Sequence, residues 1–310
     1  MTAQAPDYYV ILNANAGTAE AGGVTADSLA ALFQGHDLAA QIDGRCDVPL
    51  PDRIADAMAS GAGTIVAAGG DGTITALAAA LVDTDRTLAI LPLGTVNALA
   101  KDLQVPLDIE AAIAALATGE SHHIDVGEVN GRIFLHKVVI GTIPGVAAAR
   151  EHIRGRHDAA TKIGFLRYFH RRLLRTRRMA VIIDPGEGER RIERVQALAV
   201  ASNAYDEGIG QFFSRSILDG GSLSLYVLRH LNTGDVLRLT IGMLLGNWQH
   251  DEALSVETVS SVTIDTRKDL LKVMFDGEVE TMHTPLHFTI RPKALCVLVP
   301  ASVEATVEAA

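Results

Sequence analysis

Short apolar runs alternate with helix-like segments along the first 125 residues of the chain. The runs are predicted as strands at 8–12, 38–42, 64–68 and 88–91, and the segments between and after them as helices at 26–33, 51–60, 74–81, 96–103 and 109–117. Because alternating strands and helices build parallel sheets that are covered on both faces, the pattern predicts an N-terminal α/β domain.

After residue 125 the apolar runs follow one another closely, and turn residues separate them. Asn130-Gly131 lies between apolar runs at 126–129 and 133–139, which predicts a β-hairpin. Further strands are predicted at 180–183, 195–201, 223–228, 259–265, 270–275 and 287–290. This half therefore predicts a mainly antiparallel β-sandwich with two helical insertions, a basic stretch and residues 235–245. We place the domains at 1–128 and 129–300, followed by a C-terminal tail at 301–310.

Composition narrows the class of protein. The 310 residues include two cysteines, Cys46 and Cys296, whose distant positions favour neither a disulfide scaffold nor a thiolate zinc site. The chain begins without the basic and apolar segments of a signal peptide, and no apolar stretch reaches the roughly 18–20 residues that span a bilayer. A net charge of −10 argues against a general nucleic-acid binder. We therefore expect a cytoplasmic protein without a nucleic-acid partner.

One basic stretch departs from this acidic average. Residues 150–178 contain ten Lys and Arg against two acids, which leaves the remainder of the chain strongly negative. A helix over 162–178 would carry an apolar face opposite a basic stripe of Arg167, Arg171, Arg175 and Arg178. Such a helix is typical of peripheral contact with anionic lipid, although the same apolar face could pack on the β domain and leave a solvated arginine face.

The sequence Gly69-Gly70-Asp71-Gly72-Thr73 joins a predicted strand to a predicted helix. Three glycines allow close backbone approach, and the start of a helix directs N–H groups and partial positive charge at one point, which suits a phosphate group. Asp71 would repel a bare phosphate, so we expect it to act through Mg²⁺. Thr73 can cap the helix or bind a phosphate oxygen. The alternative is an ordinary turn with Asp71 as a helix cap.

A second loop, Pro92-Leu93-Gly94-Thr95-Val96-Asn97, follows the next predicted strand. Because the carboxyl ends of neighbouring parallel strands meet at one edge of a sheet, Gly94, Thr95 and Asn97 are expected to face the first loop. The pair of loops predicts a nucleotide site, whereas Gly94-Thr95 alone would indicate only a helix cap.

Both loops resemble the signature loops of the diacylglycerol kinase catalytic family. The segment that contains Asn13, Asn15 and Gly17 is similar to the family's Asn-Pro-x-x-Gly nucleotide loop, with Ala14 in place of proline. Three later motifs also match the family in order: Ile124-Asp125-Val126-Gly127, Asp219-Gly220-Gly221 and Phe275-Asp276-Gly277-Glu278. The chain departs from the family at three positions where Asn, Glu and Asp are frequent: Thr75, Ala76 and Ala98.

The resemblance implies a fold and an activity. The fold is a domain like that of NAD kinases and phosphofructokinases, followed by a β-sandwich. The activity is an ATP- and Mg²⁺-dependent transfer of the γ-phosphoryl group to a lipid hydroxyl, with diacylglycerol as the expected acceptor and phosphatidate as the product. The substrate would be met at a membrane surface, by a protein that resides in the cytoplasm or on the inner face of the membrane and can form a homodimer.

The resemblance also implies residue roles. Asp276 is expected to be the catalytic base, with Glu278 as the alternative, and Asp125 to support the carboxylate and metal network. Asp219, with the backbone carbonyls of Ser216 and Gly221, is expected to hold a structural Mg²⁺. Each of these acids also fits a plainer interpretation as a turn or solvated loop residue.

Two other functions remain open from the sequence. The first is a kinase of soluble metabolites of the NAD kinase type, which shares Gly-Gly-Asp-Gly-Thr. The second is a nucleotide- or lipid-binding protein with little turnover, which the departures at Thr75, Ala76 and Ala98 suggest. The sequence leaves open which lipid and which nucleotide are used.

Overall fold

The computed structural model describes residues 7–13, 23–141, 178–208, 214–230 and 232–301. These residues form two compact units. Unit 1 holds the described residues up to Ile124 and those from Lys293 onward, and unit 2 holds the described residues within Asp125–Pro292. Within the described residues, no helix is both long and apolar enough to cross a bilayer.

Unit 1 alternates strands and helices as predicted. Its strands are β1 (Tyr8–Leu12), β2 (Ala40–Asp43), β3 (Thr64–Gly69) and β4 (Thr87–Pro92). Its helices are α1 (Ala26–Gly35), α2 (Leu50–Ala59), α3 (Asp71–Leu81), α4 (Ala98–Asp102) and α5 (Ile109–Thr118). Local signals fix several ends: a capping box at Thr25 begins α1, and the Asp108 side chain caps α5.

The strands of unit 1 form a parallel sheet in the order β2, β1, β3, β4. After the first residue, β1, β3 and β4 are buried throughout, as expected for strands that helices cover on both faces. We call residues 69–73 the glycine loop and residues 92–97 the Asn97 loop. The two loops begin side by side, because β3 and β4 are neighbours and end at the same edge of the sheet.

Unit 2 is built from strands with one described α-helix, α6 (Thr233–Leu245), and a 3-10 turn at Trp248–His250. Its strands are β5 (Glu120–Val129, shared with unit 1), β6 (Arg132–Phe134), β7 (Lys137–Gly141), β8 (Met179–Pro185), β9 (Arg191–Val195), β10 (Ala197–Ser202), β11 (Leu223–Leu228), β12 (Leu254–Val259), β13 (Ser261–Asp265), β14 (Leu270–Phe275), β15 (Glu278–His283) and β16 (Leu286–Val299).

These strands form an antiparallel sandwich, which confirms the predicted fold class. One sheet runs β12, β11, β10, β7, β14, β15, and the other joins the first half of β16 to β13, β8 and β9. The core between them is apolar and includes Ile140, Ile183, Leu225, Val273 and Phe288. The predicted hairpin is also present, since Asn130 and Gly131 both have positive φ between β5 and β6.

Three predicted strands are wrong in one respect, because each is two strands. The run at 133–139 divides into β6 and β7, the run at 195–201 divides at Gln196, and the run at 259–265 divides at Ser260. At each break the chain passes from one sheet of the sandwich to the other. Apolar composition cannot show such a crossing, because both sheets bury their inner faces in the same core.

The end of β16 differs from the predicted domain boundary. The sequence placed 129–300 in the β-sandwich domain, whereas residues from Lys293 onward belong to unit 1. The reason is strand pairing: Cys296 and Val297 of β16 pair in parallel with Thr87 and Leu88 of β4. The first half of the same strand pairs antiparallel with β13.

Candidate active site

The glycine loop of unit 1 forms a sharp passage from strand to helix. β3 ends at Gly69, Gly70 is the extended N-cap, and α3 begins at Asp71. A Cβ at Gly69 would lie 2.8 Å from the Thr73 hydroxyl oxygen, so the close packing requires glycine there. The first N–H groups of a helix have no partner within that helix, and they carry its partial positive charge. The loop therefore has the chemistry of an anion site.

Asn13 meets this loop from the end of β1. Its backbone N–H donates to the Ala68 carbonyl at 2.8 Å, and its side-chain amide donates to the Thr73 hydroxyl at 3.0 Å. Thr73 is buried. The structure thus brings together two of the predicted nucleotide-binding residues, while Asn15 and Gly17 lie outside the described residues.

Asp71 joins the first loop to the second. Its carboxylate accepts hydrogen bonds from the backbone N–H groups of Asn97, at 3.1 Å, and Ala98, at 2.7 Å. These N–H groups lie at the start of α4, so Asp71 caps that helix and not its own, whose N-cap is Gly70. The plainer interpretation of Asp71 as the cap of its own helix is therefore wrong.

The second loop closes on the first through Gly94 and Asn97. Asn97 is buried, has φ 52°, and forms hydrogen bonds with both the N–H and the carbonyl of Gly94 at 2.8 Å. A Cβ at Gly94 would lie 2.7 Å from the Cα of Gly70. The two loops are therefore packed backbone against backbone, and Thr95 is exposed beside them.

Arg53, a buried arginine of α2, supports this edge. It donates to the carbonyl of Leu12, the residue directly before Asn13, at 2.9 Å, and to the carbonyl of Asp43 at 2.6 Å. Asp43 also accepts hydrogen bonds from Arg45. Burial raises the pKa of Asp43, but the hydrogen bonds from Arg45 and Arg53 outweigh this effect and lower it to about 2. No motif marks Arg53, which looks like an ordinary polar position of α2.

In unit 2, Asp276 follows β14 and begins a two-residue turn with Gly277, both at positive φ. Its carboxylate accepts three backbone N–H groups, from Leu135 at 2.7 Å and from His136 and Lys137 at 2.9 Å each. Burial raises the pKa of Asp276 more than these hydrogen bonds and the charge of Arg215 lower it. These bonds occupy the peptides where the predicted strand 133–139 breaks.

Glu278 has a different environment. It is exposed at the first position of β15, where it pairs with Phe275. Of the two carboxylates predicted as the catalytic base, Asp276 is held by backbone N–H groups and Glu278 is exposed to solvent. Which of them acts as the base stays a prediction.

Asp125 is buried and acts on a neighbouring loop. Its carboxylate accepts the Gly221 N–H at 2.6 Å, and its own N–H donates to the Leu218 carbonyl at 2.7 Å. The alternative of a solvated loop acid is therefore wrong. Asp125 holds the segment that contains Asp219.

The predicted Mg²⁺ donors lie in that segment. Asp219 and Ser216 are exposed, and the Ser216 hydroxyl donates to Asp206 at 2.8 Å. A carboxylate with backbone carbonyls is chemically suited to Mg²⁺ when water completes the shell. Among the described residues, no group of three or more His, Cys, Asp or Glu side chains is placed to hold a metal. A Mg²⁺ ion at Asp219 stays a prediction.

Of the four arginines predicted to contact lipid, one lies within the described residues. Arg167, Arg171 and Arg175 lie outside the described residues, and Arg178, directly before β8, is exposed. The basic stripe stays a prediction.

Three further residues belong to or contact the 135–137 segment that holds Asp276, and none of them was predicted. Arg215 is buried and donates to the carbonyls of Leu135 and Ser202, both at 2.8 Å. The His136 ring nitrogen Nδ1 and the Tyr205 hydroxyl are 3.0 Å apart. A polar pair, His136-Lys137, inside an apolar run was the available signal for this turn, whereas nothing in the sequence marked Arg215.

Comparison with known proteins agrees with both units. Residues 7–129 match the family model of the diacylglycerol kinase catalytic domain, and residues 146–299 match that of the YegS C-terminal NAD kinase beta sandwich-like domain.

Individual relatives agree as well. A Pseudomonas aeruginosa protein named "probable lipid kinase YegS-like" is 32% identical over 254 residues, which cover 80% of each chain. The diacylglycerol kinase of Bacillus subtilis is 26% identical over 227 residues, which cover 69% of this chain and 70% of that protein. The crystal structure of a diacylglycerol kinase from Bacillus anthracis has the same fold, with a TM-score of 0.67, 21% identity, and coverage of 96% of this chain and 98% of the other. The chain therefore belongs to the diacylglycerol kinase family, among its YegS-like members.

Proposed function

We propose that this protein is a lipid kinase that transfers the γ-phosphoryl group of ATP to the free hydroxyl of diacylglycerol and so forms phosphatidate. The observation that carries the proposal is the joined pair of loops in unit 1, in which Asp71 caps α4 and Gly94 packs on Gly70. Its presence in a chain that belongs to the diacylglycerol kinase family supports phosphoryl transfer, and the name of the B. subtilis relative supports diacylglycerol as the acceptor.

The phosphates of ATP would bind at the start of α3. The N–H groups there and the partial charge of the helix favour an anion, and the Asn13 amide and the Thr73 hydroxyl add polar groups beside them. A carboxylate has about four lone-pair positions, so Asp71 keeps acceptor capacity after its two N–H bonds. Asp71 would use it to hold Mg²⁺, directly or through water, and the ion when bound would neutralise charge on the transferred phosphoryl group.

Asp276 would accept the proton of the lipid hydroxyl. As the hydroxyl oxygen forms its bond to the γ-phosphorus, the bond from that phosphorus to the β–γ bridging oxygen breaks, ADP leaves, and the proton moves to a carboxylate oxygen. The raised pKa of Asp276, which burial causes, suits this role, since a general base is most effective when its pKa lies near the working pH. Glu278, which is exposed beside it, would orient the acceptor.

The acceptor lipid would be met at a membrane surface. The basic stretch 150–178 would provide the attraction to anionic lipid, through Arg167, Arg171, Arg175 and Arg178. Each Lys or Arg near an anionic surface contributes about 1 kcal/mol, and salt screens the attraction. Binding to anionic vesicles that falls steeply as salt rises would support this part of the proposal.

The test is phosphorylation of a panel of lipids in mixed micelles by the purified protein with Mg²⁺ and γ-labelled ATP. We expect label in phosphatidate, and loss of that label in Asp71→Ala and Asp276→Ala. The matched control is Glu189→Ala, an exposed acid in the turn between β8 and β9, which should keep wild-type turnover. Label in NAD would favour the soluble-metabolite kinase. Nucleotide binding without transfer to any lipid would favour the binding protein.

A further inference from the structure

Arg215 is a buried cation that the proposed mechanism does not yet use. Only 2% of its surface is exposed, and its Nη1 donates to the carbonyls of Leu135 and Ser202, both at 2.8 Å. A buried charge is costly unless hydrogen bonds and opposite charge compensate for it. The position of Arg215 therefore indicates an interaction that requires a positive charge.

The peptide group between Leu135 and His136 connects Arg215 to Asp276. Its carbonyl, that of Leu135, accepts from the Arg215 guanidinium, and its N–H, that of His136, donates to the Asp276 carboxylate at 2.9 Å. A guanidinium on the carbonyl polarises the peptide and strengthens its N–H as a donor. Arg215 thus acts on Asp276 in two ways, through this peptide and through its own charge, which opposes the effect of burial on the carboxylate.

Other charged groups around Asp276 come from three elements. His136 and Lys137, the latter at the start of β7, belong to the segment that donates to it. Their side chains lie against Tyr205, His136 by a hydrogen bond and Lys137 with its Nζ 5.1 Å from the ring centre. Arg132 of β6 lies over the Phe275 ring and is paired with Glu280 of β15. Glu278 is exposed at the start of β15.

We propose that Arg215 is a positioning residue for phosphoryl transfer, which holds the Leu135–His136 peptide against the Asp276 carboxylate and favours the ionised form of that carboxylate. This role rests on the proposed function only in that Asp276 is taken to accept the proton of the lipid. The ionised carboxylate accepts three N–H groups at once, whereas a protonated one would turn a donor toward them. Loss of the Arg215 charge would therefore disturb both the geometry and the protonation state of the base.

The first test is the pH dependence of turnover in three forms of the full chain. Arg215→Met removes the charge and the donors, and it should lower kcat about a hundredfold near neutral pH, with KM for ATP unchanged and the acid limb of the kcat profile moved to higher pH. Arg215→Lys restores a positive charge. Its kcat should be about tenfold higher than that of Arg215→Met, and its acid limb should lie closer to the wild-type position. Arg215→Gln, which keeps amide donors without charge, makes the same test if the methionine variant does not fold.

A matched control separates this role from the loss of hydrogen bonds alone. Arg86 of unit 1 is a partly buried arginine that donates to two backbone carbonyls, those of Ala57 at 3.0 Å and Met58 at 2.6 Å. Arg86→Met should lower thermal stability and leave the acid limb where it is in the wild type. An acid limb that moves equally in Arg86→Met and Arg215→Met, or in neither, would contradict the proposal.

The second test needs no lipid, and so separates failure of this inference from failure of the proposed function. The backbone amide resonances of Leu135, His136 and Lys137 should follow the ionisation of Asp276 in an NMR titration. The midpoint should move to higher pH in Arg215→Met and Arg215→Gln, and return toward the wild-type value in Arg215→Lys. If the wild type phosphorylates no lipid, the kinase proposal fails while this titration still decides the role of Arg215. Equal midpoints in all four forms would overturn it.

Discussion

Each unit of this protein contains an aspartate that holds the backbone of a distant loop. Asp71 of unit 1 accepts two N–H groups from residues 97 and 98, and Asp276 of unit 2 accepts three from residues 135–137. They differ in setting. Asp71 is the first residue of the helix that follows a parallel strand. Asp276 lies in a hairpin turn with positive φ, where burial raises its pKa. In both units an acid of a signature motif fixes the backbone of its site through hydrogen bonds.

The largest difference between the two should appear on substitution by asparagine. In Asp276→Asn an NH₂ group would face backbone donors that now share a carboxylate, so we expect a loss of about 3 kcal/mol in unfolding free energy. In Asp71→Asn one amide oxygen can still cap α4, and the loss should be about 1 kcal/mol. Chemical denaturation of both variants measures the two values. Equal losses would show that the contrast between the two settings has no energetic meaning.

Gly94 of unit 1 and Gly277 of unit 2 should respond differently to substitution by alanine. Gly94→Ala would place a Cβ against the backbone of Gly70 and force the two loops apart, with a loss of about 2 kcal/mol and of nucleotide binding. At Gly277 a Cβ meets no atom within 4 Å, and only its φ of 99° resists substitution, so Gly277→Ala should cost about 1 kcal/mol and keep nucleotide affinity. Calorimetric titration with ATP, paired with thermal unfolding, checks both. Unchanged nucleotide affinity in Gly94→Ala would count against the joined loops as the nucleotide site.

The pH dependence of stability should have opposite sign in the two units. The pKa of Asp43 in unit 1 is lowered to about 2, so its contribution to stability is present above its unfolded pKa of 3.8 and is lost as pH falls through 2. The pKa of Asp276 is raised, so its contribution is present below 3.8 and is lost as pH rises through the folded value. As pH rises through the acid range, the melting temperature of Asp43→Asn should therefore fall relative to that of the wild type. The melting temperature of Asp276→Asn should rise relative to that of the wild type. Parallel curves would contradict this assignment.

Asn13 is expected to contribute through a single hydrogen bond. Asn13→Ala removes one hydrogen bond to Thr73 and should cost about 1 kcal/mol of stability, with a larger proportional effect on ATP affinity than on lipid KM. Its counterpart in unit 2 is Asn130, whose side chain bridges to β16 and should affect stability without affecting ATP. Steady-state kinetics of both variants separates the two cases.

Local signals were enough to predict most of the architecture. Apolar periodicity and turn residues place β1, β11 and β14 with the observed bounds, because these features act within a few residues. The crossings between sheets at Leu135-His136, Gln196 and Ser260 could not be predicted, because they depend on which sheet offers a partner. β16 extends well past the predicted 287–290 for the same reason, since each half finds a different neighbour.

In the site, too, some features could be predicted from local sequence, and others depend on contacts between distant residues. Motif and spacing placed Asp71, Thr73 and Asn97 together, because neighbouring parallel strands bring their loops to one edge, and the family resemblance added Asn13. They could not show that Asp71 caps the second helix and not its own, which depends on how closely Gly70 and Gly94 approach. Arg215 has no local signal, since its two acceptors are carbonyls of residues 80 and 13 positions away.

We propose that unit 1 binds the nucleotide and that Asp276 of unit 2 accepts the proton of a lipid. Measuring ATP affinity and phosphatidate formation together in the wild type, Asp71→Asn and Asp276→Asn tests both roles. We predict that Asp71→Asn loses both, while Asp276→Asn keeps ATP affinity within about twofold and loses at least about a hundredfold in turnover. Wild-type protein that binds ATP and forms no phosphorylated lipid, or Asp276→Asn with wild-type turnover, would contradict these roles.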